Sequence, residues 1–202
     1  MQRGKFIVFE GLDGSGISTQ VDRLVTHLRA KRLKVFSSKE PTDNVIGGLI
    51  RGALTGVYEI PGTSLQLLFS ADRGHHLARV IEPLLKNGNV VICDRYIWST
   101  IAFGSTNLDK NWLLSLQKYF RVPDLTIILK VNPKECIRRI SENRYNYELF
   151  EKEKELKSVW KTYLWLSKKF PKKIKIVNGE GTVDQVFERV KKLTSTVLKE
   201  RN

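Results

Sequence analysis

The chain has 202 residues, 41% of them hydrophobic, and carries 35 Lys and Arg against 21 Asp and Glu, a formal charge of +14. That length fits one domain with a real core, and no apolar run is long enough to span a membrane. Two cysteines, Cys93 and Cys136, cannot make a disulfide framework and no signal-like segment opens the chain, so a cytoplasmic protein with buried, reduced thiols is expected.

The positive excess attracts polyanions, whether nucleotides, nucleic acid or acidic membranes, and does not choose among them. In chain order, Lys5–Glu10 reads as a buried strand that runs into a Gly-rich turn. The helix after it carries Val21, Leu24, Val25 and Leu28 on one stripe. A second short strand is expected over Lys34–Ser38, followed by a break at Pro41. Ile46, Leu49, Ile50 and Leu54 mark another helix, with Arg51 off its apolar face. Pro61-Gly62-Thr63 opens the next, in which Thr63 and Gln66 are expected to form a capping box and which runs unbroken to about Lys86. Val90–Cys93 is a continuous apolar strand ending in Asp94-Arg95-Tyr96.

Two helical pieces follow, Trp98–Phe103 and Trp112–Tyr119, then a strand over Leu125–Val131. Asn132 caps a helix with Pro133 in its first turn and Arg138, Arg139 and Arg144 toward its end. A charged helix spans Glu148–Lys169, a fifth strand Ile174–Val177, and Thr182 with Gln185 caps the last helix. Five strands alternating with helices predict one doubly wound α/β domain over residues 1–202, with a parallel sheet covered on both faces. Ligands of such a fold bind beyond the carboxyl ends of the strands.

Chemistry concentrates at those ends. Gly11-Leu12-Asp13-Gly14-Ser15-Gly16-Ile17-Ser18-Thr19 matches the phosphate loop G-x-x-x-x-G-K-[ST] except that Ile17 stands in place of the lysine. Backbone N–H groups of such a loop and the helix N-terminus cradle a di- or triphosphate, and Ser18 can offer its hydroxyl to a Mg²⁺ ion bridging the phosphates. Neither function needs the lysine. Its loss removes a charge-assisted hydrogen bond of about 1.5–3 kcal/mol, or one to two decades of rate if felt only in the transition state. Asp94 can hold Mg²⁺ directly or through water and Arg95 can fork onto a phosphate; the alternatives are a capping Asp and an exposed Arg. Phe69 is either core or a stacking platform, with Arg73 one helical turn away. His75 and His76 have no partners at metal spacing. The Lys168-Lys169 and Lys172-Lys173 cluster lacks alternating aromatics, so nucleic-acid contact is not expected there, and with no run of spanning length no membrane partner is expected either.

Phe-Glu-Gly-Leu-Asp-Gly-Ser-Gly at 9–16, Glu40-Pro41, Leu-Leu-Phe-Ser-Ala-Asp-Arg at 67–73 and Asp-Arg-Tyr at 94–96 resemble the thymidylate kinase family, nearly end to end. The resemblance implies a P-loop nucleoside monophosphate kinase that moves the γ-phosphoryl of ATP onto dTMP, with Mg²⁺ and usually as a homodimer. It implies a dTMP site of Asp13, Arg51, Phe69, Arg73, Arg95, Ser99 and Phe103, the aromatic ring of Phe103 helping to exclude a ribose 2′-hydroxyl. It implies Asp13, Asp94, Arg95 and a lid arginine, best matched by Arg144, as the catalytic set. Arg139 falls on the adenine side and a lid over about Ser141–Phe150. Gly14 stands where one branch carries a loop arginine, and branches without it supply one from the lid. Arg144 or a nearby Lys is therefore expected to do part of the missing lysine's work. The rival readings are a kinase for dUMP or a related deoxynucleotide, and a nucleotide- or nucleic-acid-binding protein that kept the fold and lost catalysis.

Overall fold

The computed structural model describes residues 3–143 and 153–199. Five strands, β1 (Lys5–Gly11), β2 (Val35–Lys39), β3 (Val90–Asp94), β4 (Leu125–Lys130) and β5 (Ile174–Asn178), form a sheet of order β2-β3-β1-β4-β5. Every pairing is parallel. The doubly wound expectation is met, and the predicted strands are displaced by no more than a residue or so.

The strands are apolar throughout because both faces are covered. On one face Ile7, Phe9, Ile92, Ile127 and Leu129 pack against α1 (Ile17–Ala30) and α9 (Val183–Lys199). On the other, Phe6, Val8, Val91, Cys93 and Ile128 pack against α5 (Ile97–Gly104) and α8 (Glu153–Lys169). A smaller cluster joins α2 (Val45–Leu54) to α3 (Gly62–His76) through Ile50, Ala53, Leu54 and Leu65, with Phe69 beside it. Both cysteines are buried and unpaired, and burial raises both thiol pKa values, that of Cys136 to about 12.

Three local expectations are corrected. The Thr63–Gln66 capping box does not form: α3 begins at Gly62 with no side-chain cap, and Gln66 turns inward to a buried position. The helix predicted to Lys86 is interrupted by a π-helical turn at Leu77–Ile81 before α4 (Glu82–Lys86). Pro83 has no N–H to donate one turn back, so the chain widens just ahead of it. The helix read as Trp112–Tyr119 is α6 (Lys110–Gln117), whose N-cap Asp109 accepts from the Trp112 N–H at 2.8 Å. The other caps agree: Asn132 Oδ1 accepts from Lys134 N–H at the head of α7 (Pro133–Asn143), and Thr182 and Gln185 bond reciprocally at α9.

One packing contact sets the geometry of the cleft. Thr42 is clamped by the buried Asp72, which accepts from its N–H at 2.8 Å and its hydroxyl at 2.6 Å. A Cβ on Gly47 of α2 would lie 1.8 Å from the Thr42 carbonyl oxygen, so only glycine lets α2 sit this close. Gly47→Ala is therefore expected to destabilise the fold by about 1–3 kcal/mol despite alanine's better helix propensity, as measured by urea unfolding.

Candidate active site

A cavity of about 970 Å³ lies along the carboxyl edge of the sheet. Gly11 ends β1 and is not part of its lining, while Leu12–Thr19, Arg51, Phe69, Arg73, Asp94, Arg95, Ser99, Phe103 and Arg139 all line it. Sequence positions scattered over more than a hundred residues thus meet in one place. Arg144 and most of the segment expected to form the lid lie outside the described residues.

The loop after β1 has the shape expected of an anion cradle. Gly14 and Gly16 take φ of +77° and +88°, open to glycine at little cost. Ser15 is buried, and its hydroxyl oxygen, closed off from solvent beneath the loop, has no hydrogen-bond partner. A side chain at Gly14 would also place its Cβ 2.5 Å from the Cys136 carbonyl oxygen of α7. An arginine there, as in one branch of the resembled family, would require the loop and α7 to separate. Ile17 is 5% exposed and packs into the apolar cluster of Val21, Phe9 and Ile127. The lysine is thus replaced by a core side chain at the mouth of the loop.

β3 supplies the facing wall. Ser18 donates to Asp94 Oδ2 at 2.7 Å. Burial raises the Asp94 pKa, against the pull of Arg95 and the Ser18 hydrogen bond. Arg95 has the left-handed φ of 67°, a strained conformation for a residue with a side chain. Its guanidinium folds back over the loop, donating to the Gly11 carbonyl at 3.0 Å and Ser99 Oγ at 3.2 Å and pairing with Asp13. It also lies 5.0 Å from the Phe103 ring centre. Arg51 donates to the Thr42 carbonyl at 2.6 Å and lies 3.6 Å from Asp43.

Phe69 is half-buried at the cavity wall, so the two readings of this ring merge: one side meets the α2–α3 cluster and the other is available to a ligand. Arg73 is far more constrained than its sequence position suggested. It is 1% exposed, bonded through Nε to Glu40 at 2.9 Å and through Nη1 to Thr100 at 3.0 Å and Gln117 at 2.5 Å. Glu40 in turn meets His76 Nδ1 at 3.0 Å, and His76 Nε2 meets Ser38 Oγ at 2.6 Å. His76 is a buried hydrogen-bonding residue and His75 is exposed; among the described residues no cluster of His, Cys, Asp and Glu could hold a metal. On the α7 flank Glu135 pairs with Arg138 and Arg139 at 2.8 and 2.7 Å, and those bonds pull its pKa down to about 2.

Several site residues were missed in the sequence. Glu10 was read as the end of a strand, yet it is fully buried and its carboxylate accepts four hydrogen bonds. Its signal was a carboxylate inside an apolar run. In the sequence Glu40 stands out only in the break at Pro41 and in the Glu40-Pro41 motif, Lys39 only in that break, Tyr163 only on an apolar helix face, and Thr100 not at all.

Comparison with known proteins gives the family. The family model described as thymidylate kinase matches residues 9–190. The chain belongs to the thymidylate kinase family. It is 39% identical over 195 residues to a probable thymidylate kinase of Pyrococcus horikoshii, covering 93% of this chain and 94% of that one. It is 38% identical over 208 residues to the thymidylate kinase of Caldicellulosiruptor saccharolyticus, covering 98% and 100%. The solved thymidylate kinase of Candida albicans superposes with a TM-score of 0.79 at 32% identity, covering 96% of this chain and 92% of that one. Members of the family are kinases that phosphorylate dTMP with ATP as the donor.

The buried Glu10 has a measurable signature. Desolvation raises its pKa from 4.5 to about 7, offset only in part by Ser99, Arg95 and Tyr163. The folded state therefore holds this proton more tightly than the unfolded chain. The stability it confers is complete below the unfolded pKa and is lost as pH rises toward 7. Glu10→Gln carries no such proton. The unfolding free energy of the wild type should fall relative to that of Glu10→Gln by on the order of 2 kcal/mol between pH 5 and pH 8, read from denaturation at each pH.

Proposed function

We propose that this protein transfers the γ-phosphoryl of ATP to the 5′-phosphate of dTMP, giving dTDP and ADP on the route to dTTP. The observation that carries the reading is the convergence of a phosphate loop, the Asp94-Arg95 turn and the Phe69–Arg73 helix on one cavity. The 202 residues act as a single domain with a lid over about 141–150.

In this reading the loop from Gly11 to Thr19 binds the donor phosphates through its amides. Ser18 and Asp94 offer an all-oxygen donor pair suited to a hard divalent ion, and they would hold Mg²⁺ directly or through water. Bound there, Mg²⁺ would neutralise charge on the bridging phosphate oxygens. Arg95 and Arg51 hold the acceptor phosphate in line with the donor, and Asp13 and the Gly11 carbonyl keep the Arg95 guanidinium aimed. Phe69 stacks on the pyrimidine. Arg73, with its other contacts made to Glu40, Thr100 and Gln117, presents a pre-aimed donor to a base carbonyl. Phe103 and Ser99 line the sugar pocket, and Arg139 lies toward adenine. Arg144, or a lysine near it, replaces the charge that Ile17 lacks.

The protein works in the cytoplasm as a homodimer, and the exposed apolar side chains Val45, Leu49 and Leu67 on α2 and α3 are suited to that contact. Among the described residues no helix is long and apolar enough to cross a membrane.

A second reading has a specific observation in its favour: Ile17 is core, which fits a protein that binds nucleotide while its catalysis is weak or lost. The Candida albicans relative is described as having broad substrate specificity, so the acceptor panel should extend beyond dTMP. Purified protein with Mg²⁺ and ATP should release ADP in the presence of dTMP, and less with dUMP or purine monophosphates. No diphosphate at high enzyme concentration would leave only the binding reading. Ile17→Lys should raise kcat by about 10- to 100-fold with little change in ATP affinity, and Arg144→Ala should lower it. An Arg144→Ala enzyme with unchanged turnover would remove the lid from the catalytic set.

A further inference from the structure

Beneath the proposed acceptor site lies a carboxylate that the mechanism above does not use. Glu10 is fully buried at the end of β1. Its two oxygens serve different partners. Oε1 accepts from the backbone N–H of Tyr96 at 3.0 Å and of Ser99 at 3.2 Å, which fixes the start of α5. Oε2 accepts from the Ser99 hydroxyl at 2.5 Å and the Tyr163 hydroxyl at 2.8 Å. The first side needs an acceptor at all times, because a backbone N–H cannot reverse. The second side faces two hydroxyls, each of which can either donate or accept.

That asymmetry matters because Ser99 lines the cavity. Its single hydroxyl hydrogen is committed to Glu10, and its oxygen already accepts from Arg95 Nη1 at 3.2 Å. Ser99 thus has no hydrogen to give a ligand while Glu10 is ionised. Once Oε2 carries a proton, that single hydrogen can turn to Ser99 Oγ while the Tyr163 hydroxyl goes on donating to Oε2, and the Ser99 hydrogen is then released toward the cavity or toward Tyr163 Oη, 3.2 Å away.

We propose that Glu10 is a proton-linked positioning residue for the acceptor: it withholds the Ser99 hydroxyl hydrogen when ionised and releases it to an oxygen of the bound monophosphate nucleotide when protonated. The inference rests on the acceptor reading given above. Glu10 is not a catalytic residue, since it touches the ligand only through Ser99. The titratable and charged groups facing it are Arg95 at the β3–α5 turn, Cys93 on β3 and Tyr163 on α8. Arg95 favours the ionised form and burial opposes it, so the carboxyl titrates within reach of neutral pH.

Glu10→Gln is a close mimic of the protonated state. Its amide oxygen can keep both backbone contacts, and its NH₂ donates to the two hydroxyls. The test is calorimetric binding of dTMP to the whole protein from pH 6 to pH 8. The titration of dTMP's own phosphate is common to every variant and cancels in a ratio. The wild-type Kd divided by that of Glu10→Gln should be near one at pH 6 and rise about three- to tenfold by pH 8, the range of one neutral hydrogen bond. In a Ser99→Ala background the same ratio should stay near one at both pH values. A flat wild-type ratio overturns the proposal. So does a ratio that still rises without the Ser99 hydroxyl, since that would mean the Glu10 charge acts directly on the phosphate.

Tyr163→Phe supplies a check that does not depend on the folding of Glu10→Gln. Deleting one hydrogen bond to the ionised carboxylate should move the pH inflection of the dTMP Kd upward relative to the wild type, and an unmoved inflection overturns the proposal. Failure of the wild type to bind dTMP at all would instead defeat the acceptor reading on which the proposal rests.

Discussion

The site depends on the register of β1 against β3. Phe9 lies opposite Asp94 across the parallel ladder, and the Arg95 N–H donates to the Phe9 carbonyl at 2.9 Å. That single alignment makes the loop after β1 and the turn after β3 end side by side. A slip of one residue would send the Asp94 side chain to the other face of the sheet. The alternation of Phe6 and Val8 into one core cluster, and Ile7 and Phe9 into the other, forbids such a slip, because either cluster would then receive the wrong set of side chains. The apolar core is therefore what holds Ser18 and Asp94 within hydrogen-bonding distance.

The same core explains the departure at residue 17. The first residue of α1 sits where the sheet's apolar layer meets the mouth of the phosphate loop. A lysine there can run its stem along the layer and lift its charge outward. Isoleucine satisfies the layer and abandons the mouth. Packing is thus served at the expense of local charge, while the backbone amides and the Ser18–Asp94 pair are untouched. The contact of Gly14 with the Cys136 carbonyl closes the other route to a loop cation.

Much of this was legible in the residues. Parallel strands covered on both faces read as unbroken apolar runs, and the Gly-rich turn and Asp94-Arg95 show in spacing and chemistry, whereas Phe69 and Arg73 stand out only through the family resemblance, the ring by itself reading equally well as core. What escaped was the polar interior. Glu10, Glu40 and His76 act through partners that are 153 positions away in the case of Tyr163, or 33 and 36 in the case of the Glu40 contacts, and no local pattern encodes such pairings. The π turn escaped because Pro83 is tolerated early in a helix, and its effect falls on the turn before it. The inward turn of Gln66 escaped because Thr63 and Gln66 have the spacing of a cap, and only the tertiary fold shows that the space beneath the helix is claimed first.

The burial of Arg73 against Glu40 has a consequence for working conditions. Both side chains are almost wholly removed from solvent, at 1% and 2% exposure, so mobile ions cannot reach between them. Arg138 and Glu135, on the opposite flank of the cavity, are 56% and 31% exposed and sit within the reach of dissolved electrolyte. Rising ionic strength should therefore slacken the Arg138–Glu135 pair and free that flank of the cleft to move, while the Arg73–Glu40 pair on the other flank stays indifferent to it.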